Sequence, residues 1–556
     1  MPVITLYYDK LKSLIKGELS EKDLLDKIPY IGVTLEEATD EYVKIEYNPN
    51  RPDFSTIYGI VRSLNGILGF EKGAPNYVIK SGEVEIIVDE STQIIRPFIV
   101  GLVARGINLN DESIQEIISM QEDLHEGIGR RRRKMSIGIH NFDVLKPPIR
   151  YTTVSPEFKF IPLGEENEMS MKEILEKTEV GREYGYIVSS FDKYPLIIDS
   201  LNHVLSFPPI INGELTRLTP ETKNLFVEIT ATNLKADEDA LSIIASALSD
   251  MGAKIESVKI RIGNSIKITP DMSHQQIEVN RKLANDLLGL RLDDKEIIEC
   301  LERSRISVLS KDGKLIALIP RYRVDILHQV DLVEEIAYGY GFDKLTPTLP
   351  SSKKTGKYNE NLLLIRSARD VMIGLGFIEV MNYHLISQKA LYDFTRRKAK
   401  KMIKVENPKS IEYEFLRDNI FPSLLIVLSK NLHEEYPQKI FEISKVFYSD
   451  LRAPNGIRED YHLATAVSHS TANYTEVKSI LSSLFLQAFN LSVDTIPTYH
   501  PSFSSGRVAK IVSMKQNIGM IGEIHPLVLE NFRLRNPVSV FEINLSRVID
   551  IVKQNY

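Results

Sequence analysis

The sequence of 556 residues contains a single cysteine, Cys300, and no long apolar run. One cysteine excludes an intrachain disulfide and a zinc site built from cysteines, so we expect Cys300 to be a small core residue. No apolar run approaches the roughly 18 residues needed to cross a bilayer, and the amino-terminal segment lacks a basic region followed by a long apolar one. These absences predict an intracellular, cytoplasmic protein with no membrane partner.

The common motifs of self-contained catalysts are also missing. The sequence has no phosphate-binding loop of the form Gly-x-x-x-x-Gly-Lys-Ser/Thr, no His-Glu-x-x-His and no Gly-x-Ser-x-Gly. It therefore gives no indication of a P-loop enzyme, a zinc protease or an α/β-hydrolase.

What is present is the composition of an ordinary globular protein, with 43% hydrophobic and 26% charged residues. A chain of this length exceeds a single hydrophobic core, so we expect three or four domains. The formal net charge is −6, so local basic patches would have to bind any polyanionic partner.

Apolar patterns and turn residues predict a multidomain α+β protein with four parts. Residues 1–75 predict a small amino-terminal α+β domain, and residues 76–265 alternate strand-like and helix-like runs, as a larger α+β domain does. Residues 266–346 predict a small helical domain with a hairpin turn at 311–314. The segment LTPTLPSSKKTG is a predicted linker to a carboxy-terminal domain at 351–556.

Two segments give local predictions. The run LYYDKLKSLIKG, which starts at Leu6, has a helix-like pattern. The run EYGYIVSS, which starts at Glu183, has a strand-like pattern.

Four acids lie among apolar neighbours in the segment PRYRVDILHQVDLVEEIA, which starts at Pro320. Asp331 and Glu334 have the spacing of a capping box at the start of a helix, which explains both without a ligand. Asp331, Glu334 and Glu335 also share one helical face, and Asp325 ends the preceding strand, so their oxygens have a spacing that suits Mg²⁺. A helix cap and a Mg²⁺ site both remain open.

Two basic runs suggest contacts with RNA phosphates. One lies at 396–401, and the other contains four consecutive arginines, Arg130, Arg131, Arg132 and Arg133. Arginines at such a site would neutralise phosphates and make RNA affinity depend on salt. The alternative is an exposed charged surface without a ligand.

Polar residues at apolar strand ends suggest a ligand pocket. The candidates are Ser206, Asn212, Glu228 and Thr230. Polar groups in an apolar frame suit an amino acid whose ring carries a polar substituent. Turn and strand-edge roles are the alternative for the same residues.

Several longer motifs, in their order along the chain, resemble one family. They are NPNRPD from Asn48, EDLHEGIGRRRRKMSIGIHNFD from Glu122, SFPPIINGELT from Ser206, the acidic segment from Pro320, VENPKSIEYEFLRDNIFPSLLIVLSKN from Val405, HPSFSSGR from His500 and IGEIHP from Ile521. Together they resemble the β subunits of phenylalanyl-tRNA synthetases of the shorter, archaeal and eukaryotic type. The resemblance extends over nearly the whole chain.

The resemblance implies an α2β2 enzyme that joins phenylalanine to tRNA(Phe) at the expense of ATP. It assigns ATP and phenylalanine to the α subunit, and it implies that residues 351–556 form a class II synthetase-like antiparallel-sheet domain without catalytic motifs. The sequence agrees, because no Gly-x-Gly-x-x-Arg follows residue 350, and Asp418 and Asn419 after Arg417 do not restore the usual motif 2 pattern.

The resemblance also implies Mg²⁺ ligands at Asp325, Asp331, Glu334 and Glu335, and a tRNA-editing domain at 76–265 that removes tyrosine from tRNA(Phe). Tyrosine is phenylalanine plus a hydroxyl, which a hydrophobic pocket rejects only weakly. The four candidate pocket residues would line the editing site, and its expected hydroxyl acceptor is Glu228. No nucleophile is evident, so a water held by backbone groups and the terminal hydroxyl of the tRNA would serve. A free-standing aminoacyl-tRNA deacylase and a structural tRNA-binding scaffold are the alternatives.

Overall fold

The computed structural model describes residues 2–350 and 354–555 and divides the chain into two compact units, 1–349 and 350–556. The division falls inside the predicted linker, of which residues 351–353 lie outside the described residues. None of the described helices is both long and apolar enough to cross a membrane. The mixed α/β, multidomain character expected from the sequence is confirmed.

The first unit begins with a small three-stranded sheet covered by helices. Its elements are β1 (Val3–Tyr7), α1 (Tyr8–Leu14), α2 (Glu21–Lys27), β2 (Thr34–Ala38), β3 (Tyr42–Glu46) and α3 (Ile57–Ile67). The strands are antiparallel in the order β1-β3-β2. The predicted helix from Leu6 therefore begins two residues late, because Leu6 is buried and Tyr7 exposed as alternate residues of a strand paired with β3.

The largest part of the first unit is a ten-stranded sheet with helices. Its elements are β4 (Glu85–Val88), β5 (Phe98–Arg105), α4 (Asp111–Glu126), β6 (Met135–Asn141), β7 (Ile149–Val154), β8 (Lys159–Phe160), β9 (Met169–Ser170), α5 (Met171–Lys177), α6 (Glu179–Tyr184), β10 (Tyr194–Ile198), β11 (Val204–Phe207), β12 (Ile211–Asn212), β13 (Asn224–Ala231), α7 (Leu234–Asp250), β14 (Lys254–Ile262) and β15 (Ser265–Thr269). The strand order is β12-β11-β10-β7-β4-β14-β5-β13-β6, and β15 pairs with β14 outside this order. Strands β8 and β9 form a separate two-stranded sheet.

The strand predicted from Glu183 is wrong. The segment ends helix α6 and continues as a 3-10 turn, Gly185–Ile187. Thr178 caps α6 by accepting the Gly181 N–H, and Tyr184 and Val188 turn into a local core. The helix cap and this burial override the β-branched and aromatic content that suggested a strand.

The two ends of the ten-stranded sheet approach each other. Strand β6 ends the sheet on one side, and β11, next to the other end, contacts β6 without being paired to it. Helices α4 and α7 cover one face with a core of buried aliphatic residues that includes Leu102, Ile117, Ile137, Val227 and Ile244. We call the gap between β6 and β11 the seam.

The first unit ends with a hairpin and three helices. The elements are β16 (Gln275–Val279), α8 (Arg281–Leu288), α9 (Asp294–Arg303), β17 (Ser307–Lys311), β18 (Lys314–Ile319) and α10 (Gln329–Tyr340). The predicted hairpin is confirmed, since Lys311 pairs with Lys314 at its turn, where Asp312 and Gly313 both have positive φ. Cys300 is buried, as predicted.

The second unit is built on a seven-stranded sheet. Its elements are α11 (Glu360–Gly374), β19 (Ile378–Glu379), β20 (Leu385–Ile386), β21 (Phe415–Leu416), α12 (Phe421–Lys430), β22 (Gln438–Ser449), β23 (Ile457–Ser468), α13 (Tyr474–Leu484), β24 (Asp494–Pro497), β25 (Phe503–Ser513), β26 (Gln516–Ile524), α14 (Pro526–Asn531), β27 (Val538–Asn544) and α15 (Leu545–Asn555). The order is β19-β22-β23-β27-β26-β25-β24, antiparallel except for the parallel pair β19 and β22, and β20 and β21 form a separate two-stranded sheet. Helix α12 packs in one apolar core, and α11, α13 and α15 pack in another.

Candidate functional site

A cavity of about 810 Å³ lies at the seam of the ten-stranded sheet. Its walls are one side of α4, the edge of β6, the segment 206–213 and the loop 216–220. Aliphatic side chains dominate, and a few polar groups enter between them. The size and this mixture suit a single amino acid or a similar small group.

Glu228 is the buried acid of this cavity. The residue is 2% exposed, and its Oε1 accepts the hydroxyl proton of Ser206 at 2.8 Å. Its Oε2 has no hydrogen-bond partner among the described residues. A buried carboxylate oxygen without a donor is costly, and a ligand hydroxyl or ammonium would satisfy it.

Gly138 makes room for this carboxylate. It lies opposite Glu228 in the pairing of β6 with β13, and a Cβ at position 138 would lie 2.3 Å from Glu228 Oε1 and 2.5 Å from His140 Nε2. Any larger residue would have to displace these groups. The close approach of the Glu228 and His140 side chains therefore explains why this buried strand contains a glycine.

His140 lies beside Glu228 and is fully buried. Its Nδ1 is 2.9 Å from the Thr216 hydroxyl, and its Nε2 is 3.7 Å from Glu228 Oε1 without a hydrogen-bond partner among the described residues. His140 does not line the cavity, and its Nε2, unpartnered within the described part of the chain, lies next to the carboxylate of Glu228.

The structure brings three of the four predicted pocket residues to the cavity. Ser206, Asn212 and Glu228 line it, and Ser206 pairs with Asn212 across β11 and β12. Thr230 does not line it. Its hydroxyl is 3.0 Å from that of Ser136, and it also accepts from the buried Arg96, so it supports the wall from behind.

Sequence reasoning missed Gly138, His140 and His125. The signal was present in the motif SIGIHNFD, because a strand places Gly138 and His140 on one face, opposite the residues of β13 that include Glu228. His125 comes from α4, and only the packing of α4 against β6 brings it to the cavity.

The four arginines form a tight loop, and Arg132 of this loop lines the cavity. Arg130, Arg131 and Arg132 all have positive φ, between 50° and 61°, which is rare for residues other than glycine. Arg132 anchors the loop: its guanidinium pairs with Glu122 at 3.0 Å, donates to the Ile210 carbonyl at 2.9 Å and stacks over Tyr184. Residues held in such rarely populated backbone conformations often occur in functional loops.

The other arginines of the run point outward. Arg131 pairs with Glu183 at 2.8 Å, whereas Arg130 and Arg133 have no acidic partner among the described residues. The run therefore contains two exposed cationic groups that could bind an anionic ligand, and the remaining two form ion pairs within the protein.

Hydrogen bonds keep Glu122, the acidic partner of Arg132, ionised. Burial opposes its charge, but hydrogen bonds from His125 and Arg132 bring the pKa of Glu122 down to about 2. Burial lowers the pKa of His125, so its imidazole is neutral near pH 7. Nε2 of His125 accepts the Ile137 N–H at 2.8 Å, so the ring proton is on Nδ1, which faces Glu122.

The four predicted Mg²⁺ ligands do not meet in one site. Arg323 lies between two of them, with a bidentate pair to Asp325 at 2.7 and 2.9 Å and a hydrogen bond to Glu335. Burial raises the pKa of Asp325, but the charge of Arg323 more than offsets this and leaves the pKa below its usual range. The guanidinium of Arg323 lies between these two acids, where a bound metal ion would have to lie.

The remaining two acids point elsewhere. Asp331 accepts the backbone N–H groups of Leu327 and His328 at 2.8 and 2.7 Å, as the third residue of a capping box whose N-cap is His328. The predicted box, with Asp331 as the cap and Glu334 reaching back to it, is therefore wrong. Glu334 is exposed and contacts the Tyr338 hydroxyl at 3.3 Å. The expectation of one shared face is wrong in this arrangement, because Glu335 points into the core and Glu334 away from it. Nowhere in residues 2–350 and 354–555 do three or more acids, histidines or cysteines converge as metal ligands.

The side chain of Arg417 is also buried and binds other buried groups. It is fully buried, pairs with Glu442 at 2.5 Å and contacts the Ser423 hydroxyl at 3.3 Å. Glu442 in turn accepts from Asn382 at 2.8 Å. An arginine held this way is not available to a nucleotide.

Comparison with known proteins finds relatives along the whole chain. The model of the tRNA synthetase B5 domain matches residues 277–342, and that of the phenylalanyl tRNA synthetase beta chain CLM domain matches 345–545. The phenylalanine–tRNA ligase beta subunit of Archaeoglobus fulgidus is 39% identical over 99% of both chains. That of Thermococcus kodakarensis is 36% identical over 98% of this chain and 99% of the relative.

A solved structure agrees with this likeness. The crystal structure of an N-terminal fragment of the phenylalanyl-tRNA synthetase beta-subunit from Pyrococcus horikoshii is 37% identical, with a TM-score of 0.59. It covers 61% of this chain, and the match includes 99% of that fragment.

Proposed function

This chain belongs to the family of phenylalanine–tRNA ligase β subunits, and we propose that the cavity at its seam removes tyrosine wrongly attached to tRNA(Phe). The observation that carries this proposal is the buried carboxylate of Glu228, which lines a cavity with mainly apolar walls and whose Oε2 has no partner among the described residues. The ligase that contains this subunit would need such a site, because an apolar synthetic pocket rejects an added hydroxyl only weakly.

The phenol hydroxyl of tyrosine would donate its proton to Glu228. Phenylalanine lacks that donor and would leave a buried carboxylate oxygen unsatisfied, at a cost of about 1–3 kcal/mol or more for a charged group. Ser206 holds the other carboxylate oxygen in place through its 2.8 Å hydrogen bond. Selectivity for the tyrosyl group then follows from a single buried acceptor.

Hydrolysis needs no side-chain nucleophile. A water adds to the acyl carbon, the ester bond to the terminal ribose breaks, and the ribose oxygen takes a proton, so that free tyrosine and tRNA leave. The hydroxyl of Ser206, which lies beside Glu228, donates its proton to the carboxylate and is therefore a poor nucleophile. The vicinal hydroxyl of the terminal ribose is a suitable carrier for the proton of the attacking water.

The arginine loop would guide the acceptor end of the tRNA into the cavity. Arg130 and Arg133 of this loop have no acidic partners among the described residues, and Arg132 lines the cavity and fixes the loop to its wall. Phosphate contacts of this kind orient a nucleic acid without reading its bases.

A deacylation assay tests the proposal. The complex of this chain with its α subunit should release tyrosine from tyrosyl-tRNA(Phe) much faster than phenylalanine from phenylalanyl-tRNA(Phe). Equal and slow release of both amino acids, at the rate of the uncatalysed ester, would reject it.

For the second unit we propose a structural role beside an α subunit that binds ATP and phenylalanine and performs the synthesis in an α2β2 enzyme. The burial of Arg417 against Glu442 supports this role, because the unit presents no free arginine at that position. Its surface carries an apolar patch of exposed residues, Met381, Tyr383, Ile411 and Tyr413, in which the two tyrosine rings meet edge to face at 5.3 Å. Large exposed apolar groups mark surfaces for protein partners.

Co-purification tests this second proposal. The double variant Met381→Asp with Tyr383→Asp should lose the α subunit, whereas Leu451→Asp, at an 88% exposed residue of the same unit, should retain it. Retention of α by the double variant would contradict the assignment of the patch.

Mg²⁺ at Asp325, Asp331, Glu334 and Glu335 stays a prediction, and it would require Arg323 to leave its present partners. No step of the proposed hydrolysis depends on it. We place the complex in the cytoplasm, where charged tRNA is used.

A further inference from the structure

The outer edge of β6 faces the cavity with its main-chain groups. In an antiparallel pair, alternate residues bond the neighbouring strand and the others point away from it. The N–H of Ile137 bonds His125 and therefore points away from β13. Ile139 is two residues further along the same strand, opposite Val227, so its N–H points to the same outer side.

These two outward N–H groups differ in whether they have a hydrogen-bond acceptor. His125 closes the one at Ile137 with a 2.8 Å hydrogen bond. The one at Ile139 has no acceptor among the described residues, although Ile139 is only 4% exposed and lines the cavity. Buried backbone N–H groups without a partner are rare, because each costs about 1–3 kcal/mol.

We propose that the main-chain N–H of Ile139 donates to the carbonyl oxygen of the aminoacyl ester and stabilises the oxyanion formed during its hydrolysis. This inference rests on the proposed editing function. When water adds to the acyl carbon, the carbonyl π electrons move to the oxygen, which becomes the oxyanion next to Ile139. When the ester bond breaks, the carbonyl re-forms, and the ribose oxygen leaves with the proton that water supplied.

The geometry of the strand supports this assignment. Gly138, the neighbour of Ile139, lies opposite Glu228 of β13, so the ring acceptor and the main-chain donor reach the cavity from two strands that are paired with each other. The donor comes from the backbone, so it does not distinguish one amino acid from another. Ile139 would therefore raise the rate of hydrolysis for any aminoacyl ester, whereas Glu228 would select the tyrosyl group.

An amide-to-ester replacement at residue 139, made with the α-hydroxy analogue of isoleucine, removes this N–H alone. In the complex with α, the turnover number for tyrosyl-tRNA(Phe) deacylation should fall about 100-fold, with KM and phenylalanine charging unchanged. The melting temperature should also stay unchanged, because this N–H forms no hydrogen bond with a neighbouring strand. The same replacement at His140, whose N–H bonds β13, should lower the melting temperature and serves as the matched control.

Genetic variants give an independent measurement. Ile139→Pro lacks the N–H and suits an edge position whose N–H is unpaired, whereas Ile139→Val keeps it. Proline should reproduce the loss of turnover and valine should not. Turnover within twofold of the unmodified protein, in the ester-substituted and the proline chains alike, would overturn the inference but leave the editing proposal standing. If the unmodified complex fails to hydrolyse tyrosyl-tRNA(Phe), both are rejected.

Discussion

Glu228 accepts the hydroxyl proton of Ser206 at 2.8 Å through one carboxylate oxygen and leaves the other without a hydrogen-bond partner among the described residues. The first contact fixes the side chain, and the second oxygen is the acceptor offered to a ligand. Both depend on the absence of a side chain at Gly138, above which the carboxylate lies.

The first prediction concerns Gly138→Ala. The added Cβ would approach Glu228 Oε1 to 2.3 Å, so the carboxylate must move, and tyrosyl-tRNA deacylation should fall at least tenfold. Overpacking of this kind should also cost about 1–3 kcal/mol in the free energy of unfolding. Deacylation kinetics and thermal melting check both effects.

Gly374→Ala is the matched control, because a Cβ there meets nothing within 4 Å. It should leave deacylation unchanged and should not lower the free energy of unfolding, because alanine is favoured over glycine in a helix. Full deacylation by Gly138→Ala would show that the position of Glu228 is not critical.

A second prediction concerns the arginine loop. Removing Arg130 and Arg133 together should weaken tRNA binding at low salt and make the slope of log affinity against log salt shallower by about 1.4 if each contacts one phosphate of the single-stranded acceptor end. Arg150→Ala, at an exposed arginine of β7, should leave the slope unchanged. Filter binding across a salt series measures it, and an unaltered slope in the double variant would remove the loop from the tRNA interface.

The third prediction concerns acid stability. Arg323 keeps the pKa of Asp325 below its usual range, so Asp325 releases its proton more readily in the folded state than in the unfolded chain. Its stabilising contribution is therefore complete above the unfolded pKa of about 3.9 and is lost as the pH falls through the lower folded value.

Asp325→Asn should cost about 1.5–3 kcal/mol at pH 7 and should lose less stability than the unmodified protein as the pH falls below about 4. Urea unfolding at several pH values measures this. Parallel stability curves for the two proteins would show that Asp325 has no such coupling.

A fourth prediction concerns Mg²⁺. A Mg²⁺ ion bound only by the folded protein would raise the melting temperature, although Arg323 must first leave Asp325 and Glu335. An unchanged melting temperature in millimolar Mg²⁺ would contradict the predicted site. A rise with Mg²⁺ that disappears in Asp325→Asn and in Glu335→Gln, but persists in Glu278→Gln, would show that the four acids rearrange into a metal site.

Sequence patterns predicted the parts of this protein that local rules determine. The hairpin at Lys311–Lys314 follows from turn chemistry and alternation, and the pocket residues Ser206, Asn212 and Glu228 from polar groups in an apolar frame. The helix from Leu6 began late because sheet pairing, a tertiary contact, outweighs the helical pattern of residues 6 and 7.

The limits of the sequence are clearest in the acidic segment. The spacing of Asp331, Glu334 and Glu335 fits both a cap and a metal site, and only the packing of α10 shows that Glu335 turns inward toward Arg323. Likewise, His125 acquires its role through a contact between α4 and β6 that no local pattern contains.

The most direct test of the account is the tyrosine-to-phenylalanine ratio on tRNA(Phe) charged by the complex that contains Glu228→Gln. This variant keeps the size of the side chain but loses the carboxylate, so tyrosyl-tRNA(Phe) should accumulate while phenylalanine charging proceeds at its normal rate. Glu157→Gln, at an exposed glutamate of the same unit, is the control and should clear tyrosine normally. Normal tyrosine clearance by Glu228→Gln would contradict the central claim that this carboxylate recognises the misattached amino acid.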